Sequence, residues 1–327
     1  MPNASRARLQ YEAGQSNVAI AALTDAGDHT IFSGSAAPWS RRDGFDAVVR
    51  PDGLITGGAI LPAASGSADA IDVAAGTAYI GGELVPWSAS ADVVVSRASD
   101  PSTHKIVSIT VTSAGAVAAV AGTDGDAFSE VRGAAGGPPL IPADSIEIGQ
   151  VRTGAFAAAA ILASEIKQAV GAHQERWDSP LWDVDYVNGR VVFLSALPTI
   201  HTDNKPKGVH ASFATPLFAD VGIAGDFKPP ELSYSVSSEQ YYGVTVGQTS
   251  ESLGAGSFTA LLQDGVTDPV VALKGERLWF KFQPNRLKSA HILCQGTLGI
   301  SRSFPAGDSI KADCTIAAET AGTEAAS

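Results

Sequence analysis

KIVSITVT, residues Lys105–Thr112, is the stretch that decides the fold class. The even-numbered side chains, beginning with Ile106, fall on one side of an extended chain, and the odd-numbered ones, beginning with Val107, fall on the other. Alternation with a period of two, carried mainly by β-branched residues, is typical of a β-strand. We therefore predict a strand here.

The same texture extends outward along the chain. AYIGGELV, residues 78–85, predicts a hairpin because Gly81 and Gly82 can both adopt a positive φ. RLWFKFQ, residues 277–283, alternates as sharply, and turn signals recur about every ten residues. This pattern predicts a mainly β fold with two β-sandwich or barrel domains, one short linker helix and an extended N-terminal arm.

The domain organisation follows from changes in composition along 327 residues, a length that suits about two domains. We predict an N-terminal arm over 1–44, a β-rich outer domain over 45–160, a linker helix over 161–175, a second β-sandwich domain over 176–320 and a disordered tail over 321–327. The arm is polar and irregular, with one short strand near Val18–Leu23, and we expect it either to stay mobile or to dock on a neighbouring subunit. The helix is predicted over Ala163–Ala172, because Ser164 can cap its start and Gly171 can end it.

The charge of the chain limits its partners. It has 22 Lys and Arg against 34 Asp and Glu, a formal net charge of −12. An acidic surface repels phosphates, so tight nucleic-acid binding is not expected. There is no run of 18 apolar residues and no signal-peptide pattern. We therefore expect that the chain does not insert into a membrane and that it is synthesised in the cytoplasm.

Catalytic and cofactor motifs are lacking in the sequence. HExxH, GxSxG and the Walker pattern do not occur. Asp124, Asp126 and Glu130 lie close together, but they do not complete a calcium loop, and a solvated turn is the favoured interpretation. We therefore predict a protein that is not an enzyme and uses no cofactor or metal.

The two cysteines share one predicted hairpin. A turn at Phe304–Gly307 would bring Cys294 close to Cys314 on the apolar face of the two flanking strands. A cross-strand disulfide is one interpretation. Two reduced, buried thiols acting as small hydrophobic groups is the other.

Aromatic residues cluster between the two predicted domains. Trp177, Trp182 and Tyr186 could anchor a contact between subunits, or could pack at a domain junction. The same tryptophans, together with Asp183 and Asp185, would be the candidates if the chain were a glycan-binding module or a glycosidase.

Two further stretches carry a family resemblance. FSEVRGAAGGPPLIPADSIEIGQVR, residues 128–152, follows IDVAAGTAYIGGELV, and residues 257–318 end in the strand GDSIKADCTI at Gly307–Ile316. The first resembles phage tail proteins in which a glycine-proline connection precedes a final strand, and it also suits a baseplate or fibre-attachment protein. The second is similar to the closing part of the tail-tube subunits of tailed bacteriophages, in which a late hairpin closes the domain.

The resemblance implies a structural role in the virion tail. Such subunits form stacked, usually hexameric rings, and the partners would be further copies of this chain together with tape-measure, baseplate and terminator proteins. The arm and the loop from Gly247 to Gly256 would reach adjacent subunits, and DNA would pass without specific binding, helped by the acidic charge. The alternative is a baseplate or tail-fibre attachment or receptor-binding protein, which would form discrete trimers.

Overall fold

The computed structural model describes residues 6–154, 157–169, 180–242 and 244–325, and within them β-strands dominate. The strands are, in chain order, β1 (Arg8–Ala22), β2 (Thr24–Asp25), β3 (Ile31–Ser33), β4 (Val48–Pro51), β5 (Gly53–Gly57), β6 (Ile60–Pro62), β7 (Ala70–Val73), β8 (Gly76–Ile80), β9 (Glu83–Trp87), β10 (Ser90–Val94), β11 (Lys105–Thr112), β12 (Val117–Ala121), β13 (Ser145–Thr153), β14 (Ile166–Gln168), β15 (Trp182–Asp185), β16 (Arg190–Phe193), β17 (Val209–Asp220), β18 (Ile223–Lys228), β19 (Leu232–Tyr241), β20 (Val244–Leu253), β21 (Gly256–Leu261), β22 (Arg277–Gln283), β23 (His291–Ser303), β24 (Lys311–Ala318) and β25 (Thr323–Ala325). One helical turn, α1, spans Pro269–Ala272, and a 3-10 turn spans Ala163–Glu165. The predicted mainly β fold class is confirmed, and the sheets formed by these residues are open.

The chain forms two compact units, each built from separate segments. The first unit comprises Met1–Val18, Pro38–Ala47 and Phe213–Ser327, and the second comprises Ala19–Ala37 and Val48–Ser212. This division differs from the predicted continuous domains over 45–160 and 176–320. The reason is that long strands, β1 and β17, each contribute residues to both units.

The first unit is centred on a large sheet. Its strands follow the order β18, β21, β24, β23, β22, β1 and β17, with β25 also paired to β23. The alternation predicted for Arg277–Gln283 is confirmed, since Leu278 and Phe280 are buried in the apolar cluster of this unit and Phe282 packs against it. The single helical turn predicted at Asp268–Leu273, with Pro269 at its first position, is also present as α1.

The N-terminal residues differ from the predicted irregular arm. β1 starts at Arg8, ten residues before the short strand that was expected, and it pairs with β22 in the register Leu9↔Phe282. Leu9 and Tyr11 are buried as a result. The pairing partner lies more than 260 residues away in the chain, so the surrounding sequence carries little sign of it.

A buried carboxyl group ties the first unit together. Glu12 is fully buried, and it accepts hydrogen bonds from the hydroxyl group of Ser40 and, at 3.0 Å, from the backbone N–H of Trp279. Gln15 donates a third hydrogen bond to it at 3.1 Å. Because buried acceptors without donors are costly, this arrangement is what allows a charged residue type in the interior.

Trp39 completes this centre. Its ring stacks on Phe213 with 4.2 Å between the ring centroids, and its carbonyl oxygen accepts a hydrogen bond of 2.8 Å from the indole N–H of Trp279. Both indoles are almost completely buried, so Trp279 contributes to a second packed face of β22, on the side opposite Leu278.

The register of the last hairpin corrects the expected position of the cysteines. Cys314 of β24 faces Ile300 of β23, whereas Cys294 lies six residues earlier on β23 and faces Phe280 of β22. The two thiols are free and buried in the same apolar cluster. The predicted cross-strand cysteine pair is therefore wrong, because the turn between β23 and β24 is longer and centred further along the chain than the pairing would require.

The second unit consists of several small sheets. Their strand orders are β12-β11-β13-β14, β5-β8-β9, β10-β7-β6 and β15-β16-β3-β2, while β4 pairs with Val209–Ser212 at the start of β17. The strand predicted at Lys105–Thr112 is confirmed as β11. Both of its faces are buried. The buried Ser108 hydroxyl donates to Glu147 at 2.5 Å, and Arg132 pairs with the same carboxylate at 2.5 Å, so the polar groups on this strand have partners.

Local turn signals in the second unit are confirmed, but the linker helix is not. Gly81 and Gly82 have φ values of 63° and 80° and close the hairpin between β8 and β9. Over the predicted helix Ala163–Ala172, the described residues form the 3-10 turn and then β14, while residues 170–172 lie outside the described part. Pairing of Ile166 with Val151 of β13 supplies backbone partners and burial that an isolated short helix lacks.

The Glu12 centre generates a test of stability. We expect Glu12→Ala to lower the free energy of unfolding by about 2–4 kcal/mol, because it leaves the Ser40 hydroxyl and the Trp279 N–H buried without an acceptor. Gln15→Ala removes only one donor to the same carboxyl group and should cost about 1 kcal/mol or less. Urea denaturation of both variants would measure the difference, and equal costs would contradict the role assigned to Glu12.

The buried thiols generate a test of pH dependence. Burial raises the pKa of Cys294 and of Cys314 from 9.0 to about 12. Both thiols ionise near pH 9 in the unfolded chain but stay protonated in the fold, so their contribution to stability is complete below pH 9 and is lost as the pH rises toward 12. The slope should reach about 1.4 kcal/mol per pH unit for each thiol.

Urea unfolding between pH 8 and pH 10 measures this slope. The double variant Cys294→Ala/Cys314→Ala is the control, and it should show a shallower decline over the same pH range. Rapid alkylation of both thiols in the native protein at pH 8 would show that they are not buried as described.

Candidate assembly surface

The aromatic residues expected to make subunit contacts separate into different environments. Trp177 lies outside the described residues. Trp182 is half-buried at the start of β15, opposite Phe193 of β16, and the centroids of the two rings are 5.8 Å apart. Tyr186 follows β15 in the turn that leads to β16 and is also half-buried. Trp182 therefore packs against a residue of its own hairpin.

This hairpin has the turn that the sequence predicts at Asn188–Gly189, and the turn uses one of the two neighbouring carboxylates. Asp185 accepts hydrogen bonds from the Asn188 side chain at 2.8 Å and from Arg190 at 2.9 Å. Burial raises the pKa of Asp185, but the hydrogen bonds from Asn188 and Arg190 outweigh it and hold the pKa below its usual value. Asp183 is exposed and accepts a hydrogen bond of 2.8 Å from the backbone N–H of Val184.

Two of the three acidic residues considered as a cation site, Asp124 and Glu130, pair with Lys105 and Arg152. Asp124 accepts hydrogen bonds from the hydroxyl and the backbone N–H of Ser99 and pairs with Lys105 at 2.9 Å, which lowers its pKa to about 2. Across the part of the chain that the structure describes, no group of three or more His, Cys, Asp or Glu side chains is placed to hold a metal ion. The same residues include no helix with the length and hydrophobicity that a membrane crossing requires.

The most unusual surface of the first unit is the β19–β20 hairpin. The two strands pair over ten positions, from Leu232↔Leu253 to Tyr241↔Val244, and form a sheet of their own. Ten residues of extended chain span about 33 Å. Of the side chains described in the hairpin, nearly all are exposed on both faces of the ribbon. A two-stranded ribbon of this kind is only marginally stable by itself in water.

The two faces of this hairpin differ in chemistry. One face carries Leu232, Tyr234 and Val236 of β19, which are 41%, 63% and 74% exposed, and opposite them on β20 it carries Leu253, Glu251 and Thr249. The opposite face carries serines, which bond across the strands from Ser233 to Ser252 at 2.7 Å and from Ser235 to Ser250 at 2.5 Å. We call the exposed side chains of Leu232, Tyr234 and Val236 the apolar hairpin face. Exposed apolar side chains on a two-stranded ribbon are a candidate contact surface for another molecule.

The two glycines predicted to lie in an assembly loop have different positions. Gly247 is exposed on β20, opposite Ser238, and a Cβ atom there would meet nothing within 4 Å. Gly256 is buried at the start of β21, and a Cβ atom would lie 3.1 Å from the carbonyl oxygen of Lys228. The predicted loop from Gly247 to Gly256 is therefore mostly strand, and of its two terminal glycines Gly247 is exposed and Gly256 is buried.

A second exposed element is the edge strand of the large sheet. β18 ends the strand order of that sheet, and Ile223 at its start is 65% exposed. Its pairing with β21 is interrupted between Gly225 and Lys228, where Asp226 has a φ of 54°. Bulges and charges of this kind discourage continuous strand addition. The hairpin is therefore the stronger candidate for an assembly contact.

The hairpin face was only partly visible in the sequence. The residues LSYSVSS, from Leu232 to Ser238, alternate apolar and small polar side chains and predicted a strand. The partner strand starts with the β-formers VTV, residues 244–246, but its second half, TSES before Leu253, is polar, and the predicted loop from Gly247 to Gly256 covers it. Matching the serines on both strands would have located the ribbon.

Comparison with known proteins adds no relative to this geometry. No protein-family model matches the sequence, and no curated protein matches it significantly.

Proposed function

We propose that this chain is a structural subunit that assembles with copies of itself into stacked, hexameric rings, and that these rings form the tail tube of a tailed bacteriophage. The observation that carries the proposal is the apolar hairpin face, with Leu232, Tyr234 and Val236 exposed on a ribbon of ten paired positions. Assembly gives this face a partner.

The energetic argument concerns burial of these side chains. Fully burying a leucine or valine side chain contributes about 1.5–3 kcal/mol. Leu232 and Val236, together with the ring of Tyr234, provide in each copy a driving force that is repeated at every contact of a ring or a stack. The serine face, with its hydroxyl groups already paired across the strands, has little to gain from burial.

The placement in a phage tail comes from the sequence resemblance. Tail-tube subunits are β-rich proteins, which agrees with the mainly β fold. The net charge of −12 suits a conduit, because acidic groups facing the lumen would repel the phosphates of passing DNA. The proposed partners are further copies of this chain and the tape-measure, baseplate and terminator proteins, and the proposed location is the virion tail.

Electron microscopy of the purified, full-length protein tests the assembled state. We expect rings at low concentration and stacked rings or tubes at high concentration, because each new contact buries another apolar hairpin face. Discrete trimers would instead favour a baseplate or attachment protein. A monomer that never associates, at any concentration, would contradict both assignments.

A pair of variants tests the hairpin face itself. Val236→Lys places a charge on the apolar face and should raise the protein concentration needed for assembly by about tenfold or more, since burying an unpaired charge is unfavourable. Ser235→Lys places the same charge on the adjacent, serine face and is the matched control, with little expected effect. Light scattering across a concentration series measures both. Equal responses of the two variants would show that the apolar face is not the contact.

A further inference from the structure

The second unit contains a cleft that the proposed assembly does not use. Its volume is about 760 Å³, within the range of clefts that bind small molecules. Its walls are mostly apolar and include the buried side chains of Leu23, Phe32, Ile80 and Val209. A cleft of this size and character can enclose an aliphatic chain.

An unsatisfied carboxylate group lies in the wall of this cleft. Asp52 follows β4, where its backbone N–H donates to the carbonyl oxygen of Gly208 at 2.8 Å. The residue is only 8% exposed, and its Oδ1 atom has no hydrogen-bond partner within the described chain. The nearby Nδ1 atom of His210 is 3.5 Å from Oδ1, which is too long for a good hydrogen bond, and it likewise has no partner.

Leaving these atoms without partners is costly, and this suggests a ligand that supplies them. A buried polar atom that lacks a hydrogen bond loses its interaction with water and gains nothing in return. A carboxylate accepts hydrogen bonds and attracts positive charge. The missing partner is therefore a group with N–H donors and a positive charge.

The other charged residues of the cleft support a cation. Four aspartates line it, against two lysines. Asp25 pairs with His29 at 2.5 Å and Asp203 with Lys205 at 3.3 Å, both shorter than the 3.5 Å that separates Asp52 from His210. Asp52 is the acidic group of the cleft that is both buried and without a hydrogen bond to its Oδ1 atom.

A glycine keeps the carboxylate accessible. A Cβ atom on Gly208 would lie 2.4 Å from Oδ2 of Asp52 and 3.1 Å from Cε1 of His210. Gly208 does not have a positive φ, so the backbone there would tolerate a side chain. Glycine at position 208 leaves the space that the Asp52 carboxylate occupies, and a methyl group there would push the carboxylate away from its position.

We propose that this cleft binds an aliphatic ammonium ion, with the charged nitrogen donating to Asp52 beside His210 and the hydrocarbon chain lying against Leu23, Phe32 and Ile80. This binding is independent of the proposed assembly, because every residue in the argument belongs to the second unit whereas the hairpin belongs to the first.

Isothermal titration calorimetry on the full-length protein at pH 8, where aliphatic amines are protonated, tests the proposal. We expect hexylamine to bind with one site per chain and at least about tenfold more tightly than hexan-1-ol, which has the same chain without the charge. Hexanoate should not bind. Equal binding of hexylamine and hexan-1-ol, or preferential binding of hexanoate, would overturn the assignment.

Variants locate the binding to Asp52. Asp52→Asn and Gly208→Ala should each weaken hexylamine binding by about tenfold or more, the first by removing the charge and the second by displacing it. Asp183→Asn, at an exposed position outside the cleft, and Gly222→Ala, where a Cβ atom meets nothing within 4 Å, are the matched controls and should bind like the wild type.

Thermal unfolding of each variant separates loss of the site from loss of the fold. If Asp52→Asn does not fold, Gly208→Ala and the three ligands on the wild-type protein still decide the question. Unchanged affinity in a folded Asp52→Asn protein would show that hexylamine binds elsewhere, and the proposal would then be rejected.

Discussion

The first unit depends on one buried carboxyl group, because its three chain segments meet there. Glu12 belongs to the first segment, Ser40 to the second and Trp279 to the third, and the two oxygens of Glu12 accept hydrogen bonds from both of the others. The register between β1 and β22 ends at Tyr11↔Phe280, so at the next position the Glu12 side chain replaces a backbone acceptor for Trp279. The contact between β1 and β22 thus continues one position beyond their backbone pairing.

The short segment Pro38–Ala47 is held in the first unit by several kinds of contact. Trp39 stacks on Phe213, Arg41 pairs with Glu319 at 3.0 Å and Arg42 pairs with Glu276 at 3.1 Å. The two ion pairs are partly exposed and contribute little individually. The buried aromatic stack and the Glu12 hydrogen bonds therefore dominate the placement of this segment, and they do so through residues that are distant in sequence.

Features of the fold that neighbouring residues determine could be predicted from the sequence, whereas features that depend on pairing between segments could not. β11, the Gly81–Gly82 turn and α1 are fixed by neighbouring residues, and their patterns located them within a residue or two. The strand at Arg8–Ala22 depends on a partner more than 260 residues away, and the strand β14 forms in place of a helix because it pairs with β13. The register that separates Cys294 from Cys314 depends on the length of the turn between β23 and β24. Propensity and periodicity describe one segment at a time and do not specify which segment pairs with it.

The same distinction explains why the two candidate sites differ in how far the sequence predicts them. The hairpin consists of consecutive residues, so alternation along LSYSVSS already indicates an amphipathic ribbon, and only the absence of a covering layer within the described chain needed the structure. Asp52, Gly208 and His210 are brought together by the pairing of β4 with β17. An aspartate after a strand and a glycine before another carry no signal until that pairing is known, and a buried acceptor without a donor is a property of the folded chain alone.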